Sequence, residues 1–563
     1  MTERITKILD KLSSRKAVKY GVYASAVIVF FALILVPPLA GIFIKWNDIQ
    51  FILDKPLLVN RALGAIQNSF IIALSVAALD LVAGIPMAWL IARGKSRWLG
   101  VIDTLADIPF IIPTTALGYS LLLFWSKPGG ISELFGPSLI SPGWLLVMLL
   151  HFTFSFPVVV RVMVGALLDY KMEYERASRT LGAAPFTAVR TVTFPVLRPA
   201  MISAYILAFA RSISETGATI IVAGVFGAGG FETGSVFIQN VKNDFTNGVV
   251  TQSTYNGAIV FASSILIAVS IGIFIAIRLL GPKLKLPLKR VRPLVERKIS
   301  YKKAANTRNA IILIVFFALI LLPSLFVALS AFQAIPTPTF TNAITAKGIW
   351  GGYWQSLLLS YGLGAVVTLL SIIMGLPTAI IIARKKSGKF MSAVFDLLVN
   401  IPLVVPSIAL GVSLGIFWKS SLALPDIVLL VLAHLAITYP YFVRSMSSAL
   451  ERINPDMEEA ARTLGAKPLG VFRTIIFPLT KYSMLSGAIM VFTRSVSETG
   501  ATLAVTSNLV TAPVLLVNWI KGVAVQGMVA SPLDIALASG FLVLFSFIIL
   551  LALRLVVGRE EKY

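Results

Sequence analysis

The chain has 563 residues, 57% of them hydrophobic and only 13% charged, whereas soluble domains run about 45–50% apolar and about 25% charged. That balance excludes a soluble enzyme, a disordered chain and a nucleic-acid-binding domain, and it points to a protein built for a bilayer. The charge is lopsided, 49 Lys and Arg against 25 Asp and Glu for a formal +24, so where the cations fall decides how the chain sits in the membrane.

Taken in chain order, an N-terminal arm with Arg4, Lys7, Lys11, Arg15, Lys16 and Lys19 precedes the first apolar run, residues 21–44. That run is too long for a cleavable signal peptide, contains Pro37 and Pro38 and lacks a small-residue cleavage site. Further apolar runs cover 62–92, 108–126, 134–160, 199–231 and 245–277. After a polar break they return at 309–346, 348–383, 397–418, 427–443, 482–520 and 535–553. A bilayer span takes roughly 20 apolar residues. The expected fold is therefore an all-α polytopic membrane protein of about twelve transmembrane helices, six plus six. Runs longer than one span imply interfacial or re-entrant segments as well.

With both termini placed in the cytoplasm, that side receives the N-terminal arm, Arg93, Lys95 and Arg97 after the second span, and the basic break at 281–308. The break is punctuated by Pro282, Pro287 and Pro293, and Glu296 is its single acid. The opposite side keeps Lys45, Lys55, Arg61, Lys127, Lys242, Lys347, Lys419 and Lys521. This asymmetry is the positive-inside pattern and sets the orientation.

The halves repeat. His151 through Pro157 ahead of Arg161 returns as His434 through Pro440 ahead of Arg444, 283 residues on. The segment Arg211-Ser-Ile-Ser-Glu-Thr-Gly-Ala-Thr219 returns as Arg494-Ser-Val-Ser-Glu-Thr-Gly-Ala-Thr502 at the same shift. Pro109-Phe-Ile-Ile-Pro113 pairs with Pro402-Leu-Val-Val-Pro406 across a small indel. Two six-span units in the same orientation make a parallel repeat. The expected division is a first half at 1–281, a basic cytoplasmic linker at 282–308 and a second half at 309–563.

The fourth-to-fifth loop of each half carries the most specific pattern. In the second half, Asn454 suits an N-cap, Pro455 the first helical position, and Asp456 and Glu458 the positive helix end. Gly465 is expected to end that helix, Pro468 to begin another, and Pro478 to mark the start of the eleventh span. The first half repeats this from Asp169 to Gly182, with Pro185 and Pro195 in the corresponding places. This helix–Gly–helix resembles the EAA loop of permease subunits of ATP-binding-cassette importers: Glu-Ala-Ala, three residues, Gly, nine residues, then Ile-x-Leu-Pro. The second copy fits through Glu459, Ala460, Ala461, Gly465, Ile475 and Pro478, with Phe477 for the leucine. The first copy departs from it, with Arg176-Ala177-Ser178 in place of Glu-Ala-Ala and Glu175 just before; Gly182, Val192, Phe194 and Pro195 complete it.

The resemblance implies a binding-protein-dependent importer permease of the prokaryotic cell membrane. Its coupling loops would dock on two ATP-binding-cassette ATPase subunits, with an extracytoplasmic substrate-binding protein delivering a small solute from outside. The departure at Arg176 leaves the equivalence of the two docking sites in question. ATP belongs to the partners: Gly94-Lys95-Ser96 ends like a phosphate-binding loop, but Trp89 stands where its first glycine is needed. No catalytic residue, metal site or resident cofactor is expected; there is no cysteine, and His151 and His434, read as helix-end residues, make no ligand set.

Arg211 and Arg494 remain inside the membrane, in the middle of the fifth and eleventh spans, with Glu215 and Glu498 four residues on, one helical turn away. Two readings stand: an intrahelical ion pair that lowers the cost of burial, or residues flanking the translocation pathway near the interface of the halves. The external segments at 233–242 and 511–521 read as outward loops for the binding protein or as interfacial helices anchored by Trp519. Asp80, alone in the repeat, receives no role. The fused layout is similar to ferric-iron, thiamine and aminophosphonate permeases, and this resemblance makes ferric iron or thiamine the expected solute; the Ser-Glu-Thr-Gly-Ala-Thr segments are also similar to sulfate and molybdate permeases. A twelve-span carrier driven by an ion gradient is the alternative, and it gives no reason for duplicated helix–Gly–Pro loops.

Overall fold

Apolar runs in lipid fold as helices because no water is present to satisfy their backbone groups. The computed structural model describes residues 13–94, 96, 98–126, 131, 139–223, 231–283, 293–386, 388–506, 508–524 and 527–558, and no strand occurs among them. The first half runs α1 Tyr20–Ile44, α2 Pro56–Arg93, the bent pair α3 Trp98–Phe110 and α4 Thr114–Trp125, and α5 Trp144–Asp169. It continues with α6 Glu173–Thr180, α7 Pro185–Ile213, α8 Gly217–Val222, α9 Gly234–Thr246 and α10 Gln252–Leu280. A short α11, Pro293–Ser300, leads into the second half. That half holds α12 Lys303–Ala334, α13 Ile349–Ala383, the bent pair α14 Lys389–Val404 and α15 Ser407–Ser421, and α16 Asp426–Arg452. Then come α17 Pro455–Thr463, α18 Pro468–Val496, α19 Gly500–Val505, α20 Ala512–Ile520 and α21 Pro532–Gly558.

Among the described residues, ten helices are long and apolar enough to span a membrane, or up to twelve if each bent pair is one span. The expected six plus six therefore holds with the third span of each half broken, by 102° and 104°. The cause is local. Ile112 and Val405 precede Pro113 and Pro406, and both take extended backbone with ψ of 127° and 137°, because a proline ring disfavours helical geometry in the residue before it.

The halves are interleaved. The first span of each packs into the other half: α1 lies along α13 and α15, and α12 lies along α2 and α4, while also keeping α21 of its own half as a neighbour. Phe30 stacks on Tyr439 at 6.1 Å, and Phe316 stacks on Phe156 at 6.3 Å in the corresponding place. The Ile42 N–H donates to Ser413 Oγ (3.0 Å), and the Val327 N–H donates to Ser120 Oγ (2.8 Å). Small and hydroxylic side chains are what hold helices together where lipid removes the hydrophobic driving force.

The basic linker is more structured than expected. It contains α11, and the helix of the seventh span begins at Lys302, inside the stretch read as linker. Arg4, Lys7, Lys11, Lys95, Arg97, Lys127 and residues 284–292, Pro287 included, lie outside the described residues.

Candidate functional site

At one end of the bundle the two helix–Gly–helix loops adopt the same geometry. Asn454 caps α17 by accepting the Asp456 N–H (3.1 Å), and Pro455 is its first residue, as expected. Gly182 and Gly465 take φ of +89° and +88°, left-handed values that a Cβ disfavours. Beyond each glycine the chain enters a helix at Pro185 or Pro468 and stays helical to Ile213 or Val496. Pro195 and Pro478 therefore do not begin their spans. Each lies inside a continuous helix, exposed, just after a π-helical turn, Val189–Thr193 or Phe472–Ile476. Such a turn accommodates the N–H that proline lacks. The helix that follows each glycine and the span are thus one rod.

The glutamate that matters structurally is displaced from the motif by one residue. Glu458 is buried and accepts from Arg384 Nε at 2.8 Å, with Arg462 at 3.3 Å. Glu175 is buried in the same way and pairs with Arg93 at 3.8 Å. Arg93 closes α2, and Arg384 directly follows α13. Both loops are therefore tied to the second span of their own half by an arginine–glutamate pair at the corresponding position, with or without the Glu-Ala-Ala residues at the motif itself. Glu459, Ala460 and Ala177 are exposed, and Ala461 is half-buried. The apolar side chains the loops present to solvent are Leu181 and Leu464, 90% and 89% exposed, with Tyr174 and Met457 beside them.

The second constellation lies in the membrane where the halves meet. Arg211 and Arg494 occupy the last turn of their helices rather than mid-span, and the chain breaks directly after them before α8 and α19. Arg211 Nη1 lies 3.5 Å from Glu215 Oε2, and Arg494 Nη1 lies 2.5 Å from Glu498 Oε2. All four residues are buried, at most 8% exposed. Breaking a helix in lipid leaves N–H groups without acceptors. Glu215 Oε1 accepts from the Ala218 N–H (3.3 Å) and Glu498 Oε1 from the Ala501 N–H (2.9 Å), and each arginine balances the carboxylate that does so.

The histidines, read as helix-end residues, belong to the same construction. His151 reaches Ser212 Oγ (2.7 Å) and Thr219 Oγ1 (2.9 Å), and His434 reaches Ser495 Oγ and Thr502 Oγ1, both at 2.9 Å. Each ring lies within its span and bridges the break, tying the helix before it to the helix after it. The spacings of 61 and 68 residues are identical in both halves and were a signal available in the repeat. Asp80 is also fully buried and accepts from Ser155 Oγ.

The two breaks face each other. A Cβ on Gly217 would sit 2.1 Å from Thr499 Oγ1, and one on Gly500 would sit 2.6 Å from Thr216 Oγ1; only glycine fits at this seam. Ser407 Oγ donates to the Ser214 carbonyl across it (3.1 Å).

The segments read as outward loops contain helices packed into the protein. Gly234 through Gln239 of α9 are buried, as are most residues of α20. Trp519 is 1% exposed and packs edge-on against Trp350, so it is a core residue and not a membrane-surface anchor.

The family model described as binding-protein-dependent transport system inner membrane component matches residues 81–286 and again 375–559. The chain is 31% identical over 201 residues to the sulfate transport system permease protein CysT of Salmonella typhimurium, covering 35% of this chain and 72% of that one. It is 33% identical over 161 residues to the molybdenum transport system permease protein ModB of Escherichia coli, covering 27% and 70%. A probable sulfate permease of Nephroselmis olivacea is 36% identical over 154 residues, covering 27% and 54%. With the duplicated loops, the seam and the twofold match together, the chain belongs to the binding-protein-dependent, ATP-binding-cassette importer permeases, carrying the family's transmembrane unit twice in one polypeptide.

Proposed function

We propose that this protein forms the complete translocation pathway of an ATP-driven importer for a tetrahedral oxyanion of the sulfate or molybdate kind. Two ATPase subunits dock on the loops around Leu181 and Leu464 and hold the ATP, and an extracytoplasmic binding protein delivers the solute. The coupling residues are Glu175, Ala177, Gly182, Pro195, Glu459, Ala460, Ala461, Gly465 and Pro478, with Glu458 added as the anchor of the second loop. The loops and both termini face the cytoplasm, and the halves divide at the linker, 282–308. Membership of the family removes the ion-gradient carrier as a rival.

One observation carries the coupling role. Two matching loops, each pinned by a buried glutamate paired to an arginine, hold a leucine about nine-tenths exposed, and an apolar side chain held out rigidly is what a protein partner binds. ATPase closure would then move α7 and α18 as rods and pull on the seam, where Arg211/Glu215 and Arg494/Glu498 gate the pathway. The oxyanion rests on the sulfate and molybdenum relatives, and it replaces the iron or thiamine reading, which had only the fusion in its favour.

The test is uptake in cells that lack their own sulfate and molybdate importers and express this permease with its ATPase and binding protein. Radiolabelled sulfate or molybdate should accumulate, and Leu464→Glu should abolish accumulation and release the ATPase from the purified complex. Accumulation of ferric iron or thiamine instead would overturn the substrate. ATPase retention with full uptake in Leu464→Glu would overturn the docking role.

A further inference from the structure

Three of the cations on the face opposite the coupling loops converge. Lys45 directly follows α1, Lys242 lies on α9 and Lys419 is in the last turn of α15. Together they line a cavity of about 170 Å³ with Gln239, Tyr255 and Ser420, and among the described residues no Asp or Glu lines it. The cavity straddles the seam: Lys45, Gln239, Lys242 and Tyr255 come from the first half, Lys419 and Ser420 from the second.

Two of these ammonium groups are partly engaged. Lys242 Nζ donates to the Leu503 carbonyl (2.5 Å) and Lys419 Nζ to the Val505 carbonyl (2.8 Å), at the carboxyl end of α19. An ammonium has three donors, so each keeps two. Burial, and then the charge of Lys419, pull the Lys242 ammonium below its ordinary value, and an anion entering between the two would relieve that repulsion. The repeat shows that the fold does not demand the trio. In register with Phe30–Leu35 and Phe316–Leu321, Lys45 corresponds to Ala331. A role in capping α19 accounts for Lys242 and Lys419 but not for Lys45.

The location matters as well. The lysines meet the last turn of α19, and Glu498, paired to Arg494, caps its first turn. This helix has six residues, about 9 Å at 1.5 Å per residue. Cations therefore stand at both ends of one short helix that runs along the seam.

We propose that Lys45, Lys242 and Lys419 form a receiving site for a tetrahedral oxyanion dianion, the first station for the solute on the seam after the binding protein releases it. The proposal rests on the oxyanion reading above and adds where the solute first touches the permease.

The test uses the full-length permease in lipid nanodiscs with sulfate and, separately, molybdate as probes. Acetylation of Lys45 and Lys242 by a lysine-reactive reagent is followed by peptide mass spectrometry, with chloride at equal ionic strength as reference. Sulfate should slow acetylation at both lysines. In K419Q, half-protection of Lys45 should need a roughly tenfold higher sulfate concentration, the scale of one charge-assisted hydrogen bond. In K45Q, which releases no backbone carbonyl, the protection of Lys242 should weaken by a similar factor, and K45R should restore it. Equal acetylation rates in sulfate, molybdate and chloride would overturn the site, as would unchanged protection of Lys242 in K45Q. The oxyanion reading fails separately: wild-type cells that take up neither sulfate nor molybdate sink that reading, whereas wild-type uptake without protection sinks only this site.

Discussion

At the scale of single residues, motif position and structural position part company. The Glu-Ala-Ala pattern singles out Glu459, yet Glu459 is exposed, and it is Glu458 that is buried against Arg384. Removing one partner of a buried ion pair leaves the other uncompensated, so Glu458→Ala should destabilise the purified permease by about 3 kcal/mol. Glu459→Ala should stay within about 0.5 kcal/mol, as exposed substitutions do. Thermal unfolding of the two variants beside the parent decides the matter; equal losses would mean that the motif residue is the anchor after all. The sequence made the loop legible because caps, prolines and glycine are local signals. It could not show which of two adjacent glutamates faces Arg384, 74 residues away, because that depends on how α17 is rotated against the end of α13.

Among elements, the informative ones are short. The linker helix α11 braces the first coupling loop: Glu296 accepts from Arg190 Nη2 (2.8 Å) and from Thr187 Oγ1, and Ser300 Oγ accepts the Phe186 N–H (3.1 Å). The second loop is met in the corresponding place by Ser13, whose Oγ accepts the Leu469 N–H (3.4 Å). Each coupling loop is thus held by the segment that leads into the other half's first span. Because the chain has no native cysteine, a Phe186→Cys, Ser300→Cys double variant should form an oxidative cross-link in membranes without background. Glu296→Ala should slow its formation by loosening α11, and an unchanged rate would mean the brace is incidental. None of this was legible beforehand: a basic, proline-rich break reads as linker by composition, and its docking depends on contacts more than 100 residues apart. The broken third spans, by contrast, were written into the paired prolines.

The whole molecule is organised by the seam and the crossed first spans. Gly217→Ala would set a Cβ 2.1 Å from Thr499 Oγ1. Overpacking of this kind costs about 1–3 kcal/mol, so the variant should melt earlier, and Thr499→Gly in the same chain should recover most of the loss. Because α1 and α12 each pack in the opposite half, residues 1–281 and 282–563 expressed as separate chains should co-purify from membranes. Recovery of either fragment alone, folded and free of the other, would contradict the interleaving. Span count and repeat could be read from apolar runs; the crossing could not, since periodicity records that a helix face is apolar and not which helix it meets. The crossing also bears on how such a molecule diversifies. Two identical subunits would receive every substitution at both of their mutual contacts, so a lysine useful on one face would be forced on the other. Joined in one polypeptide, with each half's first helix packed into its neighbour, the copies can drift apart contact by contact while their pairing stays fixed, and Lys45, where the other copy carries Ala331, is the trace of that freedom.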